Sequence, residues 1–354
     1  MQPLDGKSVL ITGGTGSLGK VLTRRLLTGE MGQPRKVIIF SRDEAKQHEM
    51  RIAYKYQRSV TDEVIYPNTE DILEFRIGDV RDFHSIASAL RDADIVFNAA
   101  ALKQVPTCEY FPFQAVMTNI IGPENIVRAI HEHALSIETV VGISTDKACK
   151  PVNVMGMTKA IQERVFIQAN MHCPNTRFIC VRYGNVLASR GSVIPLFHDQ
   201  IKNGGPVTIT TPEMTRFLLS LDQAVDTVFD AVRTAQRGET YIPRVPSARV
   251  ADIAAALIGD RPIQKVIVGI RPGEKMHEIL ISEEECHRVI ERGKCYAISS
   301  VLPELRHANV AVSMLDREYN SADNVMAIDV LATLLRKRGL MIEDDLSTEE
   351  ELLR

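Results

Sequence analysis

The chain has 354 residues, with 45 acidic against 42 basic side chains and a formal net charge of -3. That balance gives no electrostatic footprint for nucleic acid, and no apolar run reaches the roughly 20 residues of a membrane span. The polar start, Met1-Gln-Pro-Leu-Asp-Gly-Lys7, does not read as a signal peptide, so a cytoplasmic protein is expected.

In the first half, short apolar runs alternate with amphipathic stretches. Val9-Leu-Ile11, Val37-Ile-Ile-Phe40, Leu73-Glu-Phe-Arg-Ile77, Ile95-Val-Phe97, Val140-Val-Gly-Ile143 and Phe178-Ile-Cys-Val181 read as buried strands. Residues 20–27, 83–90, 115–133 and 157–169 carry helical spacing between them. Such alternation predicts a doubly wound α/β fold, a Rossmann-like parallel sheet with helices on both faces. Residues 51–71 are too long for an ordinary connection and are expected to form helix plus surface loop. After Tyr183, prolines at 195, 206, 212, 243, 246, 262 and 272 punctuate shorter elements, as in a smaller C-terminal α/β substrate lobe. The expected organisation is a cofactor domain over 1–183, a substrate lobe over 184–340 with some chain crossing between them, and a flexible acidic tail over 341–354.

Six cysteines (Cys108, Cys149, Cys173, Cys180, Cys286 and Cys295) include no Cys-x-x-Cys pair. Reduced thiols are expected, with no metal site and no disulfide frame. Cys149 lies beside Lys150 in the suspected active segment, but reads as a small space-filler.

The first strand runs into Thr12-Gly13-Gly-Thr-Gly16-Ser-Leu-Gly19, which opens the first helix. Glycines at this spacing let a backbone turn tightly against a pyrophosphate seated on the helix N-terminus. Gly13, Thr15, Gly16, Ser17, Leu18 and Gly19 are therefore placed at a dinucleotide. The second strand ends Phe40-Ser41-Arg42-Asp43, where an NAD site usually carries a carboxylate. Ser41 and Arg42 suit a 2′-phosphate instead, the arginine binding it in bidentate fashion. Asp43 falls one step into the loop, and Lys46 is placed in the same site; NADP is expected over NAD. Asp79 and Val80, after the third strand, are placed at the adenine, with Asp79 accepting from its amino group. Ala99 and Ala101, after the fourth strand, leave room for the cofactor. Lys103, in the following loop, is placed to reach both cofactor and substrate phosphates.

Several words of the sequence together resemble the extended short-chain dehydrogenase/reductase superfamily. They are Ala101-Leu-Lys-Gln-Val-Pro106, Ser144-Thr-Asp-Lys-Ala148, Arg182-Tyr-Gly-Asn-Val186, Arg190-Gly-Ser-Val-Ile-Pro195, Met214-Thr-Arg-Phe217 and Arg271-Pro-Gly-Glu-Lys275. More narrowly they are similar to bacterial 4,6-dehydratases of UDP-N-acetylglucosamine. Met155-x-x-x-Lys159 resembles the capsule and O-antigen branch, whose members invert C5 while dehydrating. The resemblance covers residues 8 to about 280.

It implies a cycle in which C4 is oxidised, C5 loses its newly acidic proton, the C6 hydroxyl leaves and hydride returns to C6. Lys147 is assigned as the C5 base and Asp146 as the acid at the leaving hydroxyl. Lys147 must then be partly neutral, through desolvation or a neighbouring cation such as Lys159. Lys159 lies one helical turn after Met155 and, in the superfamily, holds the nicotinamide ribose. Met155 stands where the superfamily keeps a proton-abstracting tyrosine, and a thioether cannot do that work. Asp146 or a water held by Lys159 would then take the O4 proton. Ser144, Tyr183 and Val186 complete the cofactor set, and Asn185, Arg190, Ser192, Val193, Arg216, Arg271 and Glu274 the UDP-sugar set.

The leading expectation is an NADP-dependent, C5-inverting dehydratase with a UDP-sugar substrate. Its alternatives are a C5-retaining 4,6-dehydratase, a 5,6-dehydratase and a non-catalytic NADP- or UDP-sugar-binding regulator. A homo-oligomer is implied by resemblance alone, with a hexamer ahead of a dimer.

Overall fold

The apolar runs of the first half form β1 (Ser8–Thr12), β2 (Lys36–Ser41), β3 (Leu73–Ile77), β4 (Ile95–Asn98), β5 (Thr139–Thr145) and β6 (Arg177–Tyr183). The computed structural model describes residues 2–60, 72–187, 192–270, 273–306 and 315–344. Across the sheet the order is β3-β2-β1-β4-β5-β6, every neighbouring pair parallel. Strands covered on both faces must be apolar almost throughout, which is why the sequence shows runs and not alternation.

Successive side chains still divide between two cores. Val9, Ile11, Val37, Ile39, Val141 and Ile179 pack with α1 (Ser17–Leu27). Leu10, Ile38, Val96, Val140 and Phe178 pack on the other face with residues of α3 (Phe83–Leu90), α4 (Gly122–Glu132) and α5 (Val154–His172). Between β2 and β3, α2 (Glu44–Val60) supplies the helix expected there, and residues 61–71 lie outside the described ones. The single helix expected over 115–133 contains a π-helical turn, Met117–Ile121, before α4.

The second half builds a smaller lobe. Its core joins Ile194, Phe197 and Ile201 of α6 (Val193–Lys202) to Ile253 and Leu257 of α8 (Val250–Ile258) and to Leu331 and Leu335 of α9 (Ile328–Lys337). Met341 and Ile342 pack against the same cluster. Two short pairs flank this lobe: β7 (Val207–Ile209) with β11 (Lys265–Ile267), and β8 (Thr215–Phe217) with β10 (Ser247–Arg249).

The chain also returns to the large sheet. The strand β9 (Thr240–Pro243) lies parallel beside β6, and β13 (Val289–Arg292) and β14 (Cys295–Ile298) extend the sheet antiparallel to nine strands. Helix α7 (Leu221–Thr234) covers this part through Val225, Val228 and Phe229, its start fixed by a capping box of Ser220 and Gln223. A further cluster joins Phe217, Leu219, Ile242, Leu280, Ile281 and Val289 to Leu18 and Tyr183 of the cofactor half. No helix among the described residues is long and apolar enough to cross a membrane.

Candidate active site

The strand order reverses between β1 and β4, and ligands of open α/β sheets bind beyond the strand C-termini at such a point. There the structure has a cleft of about 860 Å³, within the range of small-molecule sites. Every described candidate residue except Val193 lines it. Val193 opens α6 and packs against the lobe core. Arg190 and Arg271 lie outside the described residues.

The glycine turn is shaped for close approach. Gly13 has φ +66°, and a Cβ there would lie 2.8 Å from the Ala100 backbone. A Cβ on Gly19 would lie 2.4 Å from the Gly14 carbonyl oxygen. Helix α1 starts without a side-chain cap, so its first N–H groups are left for a ligand. Thr12 ties the two strand ends together: its hydroxyl donates to Asn98 Oδ1 at 2.8 Å and accepts from Ala100 N at 3.2 Å. This cradle fits the pyrophosphate of a dinucleotide.

At the end of β2, the Arg42 guanidinium is more than half exposed at the cleft wall, 4.0 Å from Asp79. Asp43, at the cleft wall, accepts from Lys46 N at 3.0 Å and pairs with Lys46 Nζ at 2.8 Å at the start of α2. Ser41 Oγ accepts from Gln47 Nε2 at 3.1 Å. Asp79, expected at the adenine, lines the cleft. Its carboxylate already accepts from Arg81 Nε, Nη2 and N at 2.9, 2.6 and 3.0 Å, so it meets the cleft as half of an ion pair. Beyond β4, Asn119 pins the loop by bonding both N–H and C=O of Leu102, at 2.8 and 2.9 Å. That loop carries Ala99, Ala101 and Lys103 to the cleft.

Asp146 and Lys147, the expected acid and base, lie where β5 gives way to a 3₁₀ turn, Asp146–Ala148. Asp146 is fully buried, and Thr145 Oγ1 donates to its Oδ1 at 2.7 Å. Its Oδ2 has no partner among the described residues. Lys147 Nζ lies 3.1 Å from Asp146 Oδ1 and 3.5 Å from Glu278 Oε1. Burial works against the charge on Lys147, but the two carboxylates outweigh it and hold the amine above the ordinary lysine range. The neighbouring cation is Arg216, which faces Glu278 at 3.5 Å, and not Lys159 as expected. Helix α5 presses against this turn: a Cβ on Gly156 would lie 2.1 Å from the Lys147 carbonyl oxygen.

Lys159 is buried, donating to Ile143 O at 2.5 Å and Gln162 Oε1 at 2.6 Å. Burial brings its amine down to about 8. Met155 packs with Cys108 and Ala115 while still lining the cleft, so it is both core and wall. Ser144 lines the cleft too, but its hydroxyl donates to Glu163 at 2.5 Å. Glu163 is half of a buried clamp: Arg182 bonds Glu163 at 2.7 and 3.0 Å and Glu285 at 2.8 and 2.9 Å. Burial pushes the Tyr183 hydroxyl well above the usual range and the Cys149 thiol up to about 12, so neither is a ready anion.

On the substrate side, Asn185 Oδ1 and Ser192 Oγ are buried without partners among the described residues. Glu274 lines the cleft. Arg216, expected to clamp the diphosphate, lines the cleft, and its Nη1 donates to the carbonyls of Thr215 and Met276 at 2.7 and 3.3 Å. Thr118, Thr145, Lys275 and Glu278 line the cleft and escaped the sequence reading. Thr118 sits in the π-turn with its hydroxyl unpartnered among the described residues, and π-turns cluster at functional sites. Glu278 follows Arg271-Pro-Gly-Glu-Lys275 by three residues, and that nearness to a motif was the available signal for it.

Residues 9–300 match the family model described as polysaccharide biosynthesis protein. The chain belongs to this family of extended short-chain dehydrogenases/reductases. Within it the chain is 43% identical over 311 residues to a Rickettsia bellii protein named UDP-glucose 4-epimerase, covering 86% of each chain. It is 42% identical over 298 residues, 83% of each chain, to a Campylobacter jejuni protein named UDP-N-acetylglucosamine 4,6-dehydratase (inverting). The X-ray structure of Pen from Bacillus thuringiensis superposes with a TM-score of 0.83 at 33% identity, covering 96% of this chain and 99% of that one. The dehydrogenase/reductase fold extends further, to a dTDP-glucose 4,6-dehydratase from Streptomyces venezuelae at TM-score 0.62 and 19% identity, over 76% of this chain and 86% of that one.

Proposed function

We propose that this protein is an NADP-dependent, C5-inverting dehydratase of UDP-N-acetylglucosamine. Its product is a UDP-2-acetamido-2,6-dideoxy-4-keto-hexose for surface polysaccharide. The observation that carries this reading is the Asp146–Lys147 pair, 3.1 Å apart at a strand end inside the nucleotide cleft. The inverting dehydratase from Campylobacter jejuni, at 42% identity, supports it.

Bound along the glycine turn, with Arg42 at its 2′-phosphate and Lys159 at its nicotinamide ribose, NADP supplies an acceptor for the C4 hydride and a donor to C6. The chain's own residues move the protons. Asp146 Oδ2, buried and unpartnered among the described residues, takes the O4 proton as C4 is oxidised. Asp146 is then a carboxylic acid and gives that proton to the C6 hydroxyl, which leaves as water. Lys147, which its two carboxylates hold as the ammonium at rest, first gives a proton to solvent and then takes the C5 proton, now acidified by the C4 ketone. The proton that Lys147 gave to solvent is matched by one that solvent returns to the opposite face of C5, so one water is lost overall. Met155 has no part in these transfers. It forms an apolar wall where the superfamily keeps a tyrosine, and Asp146 does that residue's work.

The relatives named UDP-glucose 4-epimerase favour a second reading, epimerisation at C4. That reaction needs neither a base at C5 nor an acid at O6, and would leave the Asp146–Lys147 pair idle. Proton NMR of the product from UDP-N-acetylglucosamine in deuterated water separates the two. Dehydration gives a C6 methyl, a C4 ketone and deuterium at C5 in the inverted configuration. A C4 epimer with its C6 hydroxyl and C5 proton intact would end the dehydratase reading, and binding without any product would mark a regulator.

A further inference from the structure

We propose that Glu278 is a positioning residue that sets the base strength of Lys147. This inference rests on the reading of Lys147 as the C5 base and adds to it the group that tunes that base.

The geometry is specific. Glu278 stands just before β12 (Ile279–Ile281), a strand of the substrate lobe, and is 2% exposed. Its backbone is held from both sides: Glu278 N donates to Ser321 Oγ at 2.9 Å, and Glu278 O accepts from Ser321 N at 2.8 Å. Oε1 faces Lys147 Nζ and Arg216 Nε, each at 3.5 Å, while Oε2 is buried with no partner among the described residues. A buried carboxylate with an unused oxygen is costly and calls for a reason beyond packing. The charged groups facing Lys147 are Asp146 on its own turn, Glu278 and Lys275 from the 273–278 segment, and Arg216 from β8.

These groups have different fates in the reaction. Asp146 becomes neutral when it takes the O4 proton, so its support for an ammonium disappears just when Lys147 must draw the C5 proton. Glu278 undergoes no such change and remains the anion beside the ammonium that forms. A C5 proton beside a ketone is still a weak acid, and once the amine is free a base of higher proton affinity removes it faster, while a smaller fraction of that base is free at neutral pH. A fixed carboxylate near the developing positive charge stabilises that transition state without reorganisation. Arg216, anchored on two carbonyls, keeps Oε1 turned toward Lys147 and limits how far Glu278 raises it.

Glu278→Gln in the full-length, cofactor-loaded protein removes one anion at 3.5 Å from the amine. The amine must then lose its proton at lower pH, by about one unit or more. Lys147 reactivity is read by trace acetic anhydride labelling across pH, with mass spectrometry of its peptide. At a pH below both midpoints, labelling in the variant rises about tenfold. In turnover, the acid limb of kcat moves to lower pH by the same amount while the plateau falls.

An unmoved labelling midpoint overturns the proposal. A labelling midpoint that moves while the kcat limb stays put upholds the link between Glu278 and Lys147, and removes Lys147 as the C5 base. Glu278→Asp, which keeps the charge but draws it back, gives a midpoint between wild type and glutamine. If the glutamine variant fails to retain cofactor, the aspartate variant supplies the same test, and no shift in it overturns the proposal.

Discussion

Replacing Glu285 by glutamine tests whether the buried clamp around Arg182 holds the two halves of the molecule together. Arg182 belongs to β6, Glu163 to α5 and Glu285 to the second half of the chain, and all three are buried. Burial opposes the charge on Glu285, and Arg182 outweighs it, taking the carboxyl down to about 2. An unfolded glutamate titrates near 4.3. A depressed carboxylate contributes stability that is complete above its unfolded value and is lost as pH falls through its folded one. A gap of roughly two units corresponds to about 3 kcal/mol at neutral pH. That agrees with the roughly 3–5 kcal/mol lost when one partner of a buried pair is removed. Because Glu163 still faces Arg182, the lower figure is expected. Urea unfolding followed by circular dichroism from pH 7 to pH 3 measures it. At pH 7 the variant unfolds at lower urea, and between about pH 4.5 and pH 3 it loses less further stability than the wild type. A variant that matches the wild type at pH 7 and keeps its full acid slope would show that this clamp adds nothing.

Arg42→Ala removes a charge-assisted contact worth about 1.5–3 kcal/mol, so NADP affinity falls roughly tenfold to a hundredfold while NAD affinity barely moves; calorimetric titration with both cofactors checks this, and equal weakening refutes the 2′-phosphate assignment. Lys159→Met has two opposite effects. Cofactor retention drops, whereas the cofactor-free protein gains stability at pH 7, because burial holds the native amine down at about 8. A lysine lowered in the folded state costs stability at low pH, and that cost disappears as pH rises from about 8 to its unfolded value near 10.4. Melting curves of both cofactor-free proteins from pH 7 to pH 10 should therefore converge, and parallel curves would contradict the burial argument.

The parallel strands were legible because double-sided burial writes itself as runs of Val, Ile and Phe. Their carboxyl ends were equally clear, since Gly13, Asn98 and Asp146 follow directly after such runs. Other features depend on distances that a linear reading cannot supply. Arg182 stands 19 and 103 residues from the two carboxylates that neutralise it. Glu278 resembles any glutamate in a charged stretch until folding brings it to Lys147. The π-turn at Met117–Ile121 keeps helical periodicity nearly intact, so only its hydrogen bonds reveal it. The change of rhythm after Tyr183 suggested a smaller lobe with some chain crossing, but not which strands cross. In the structure, Thr240–Pro243 goes back beside β6.

That return governs how the molecule can be divided. With β9 seated against β6, the boundary near residue 183 is a seam in a continuous fabric and not a natural cutting line. A fragment stopping there would present a raw backbone border, an adhesive template for any other extended chain. Swapping substrate halves among relatives is therefore better attempted by exchanging the surface segments around α6, α8 and α9, leaving the strands that stitch the fabric together in place.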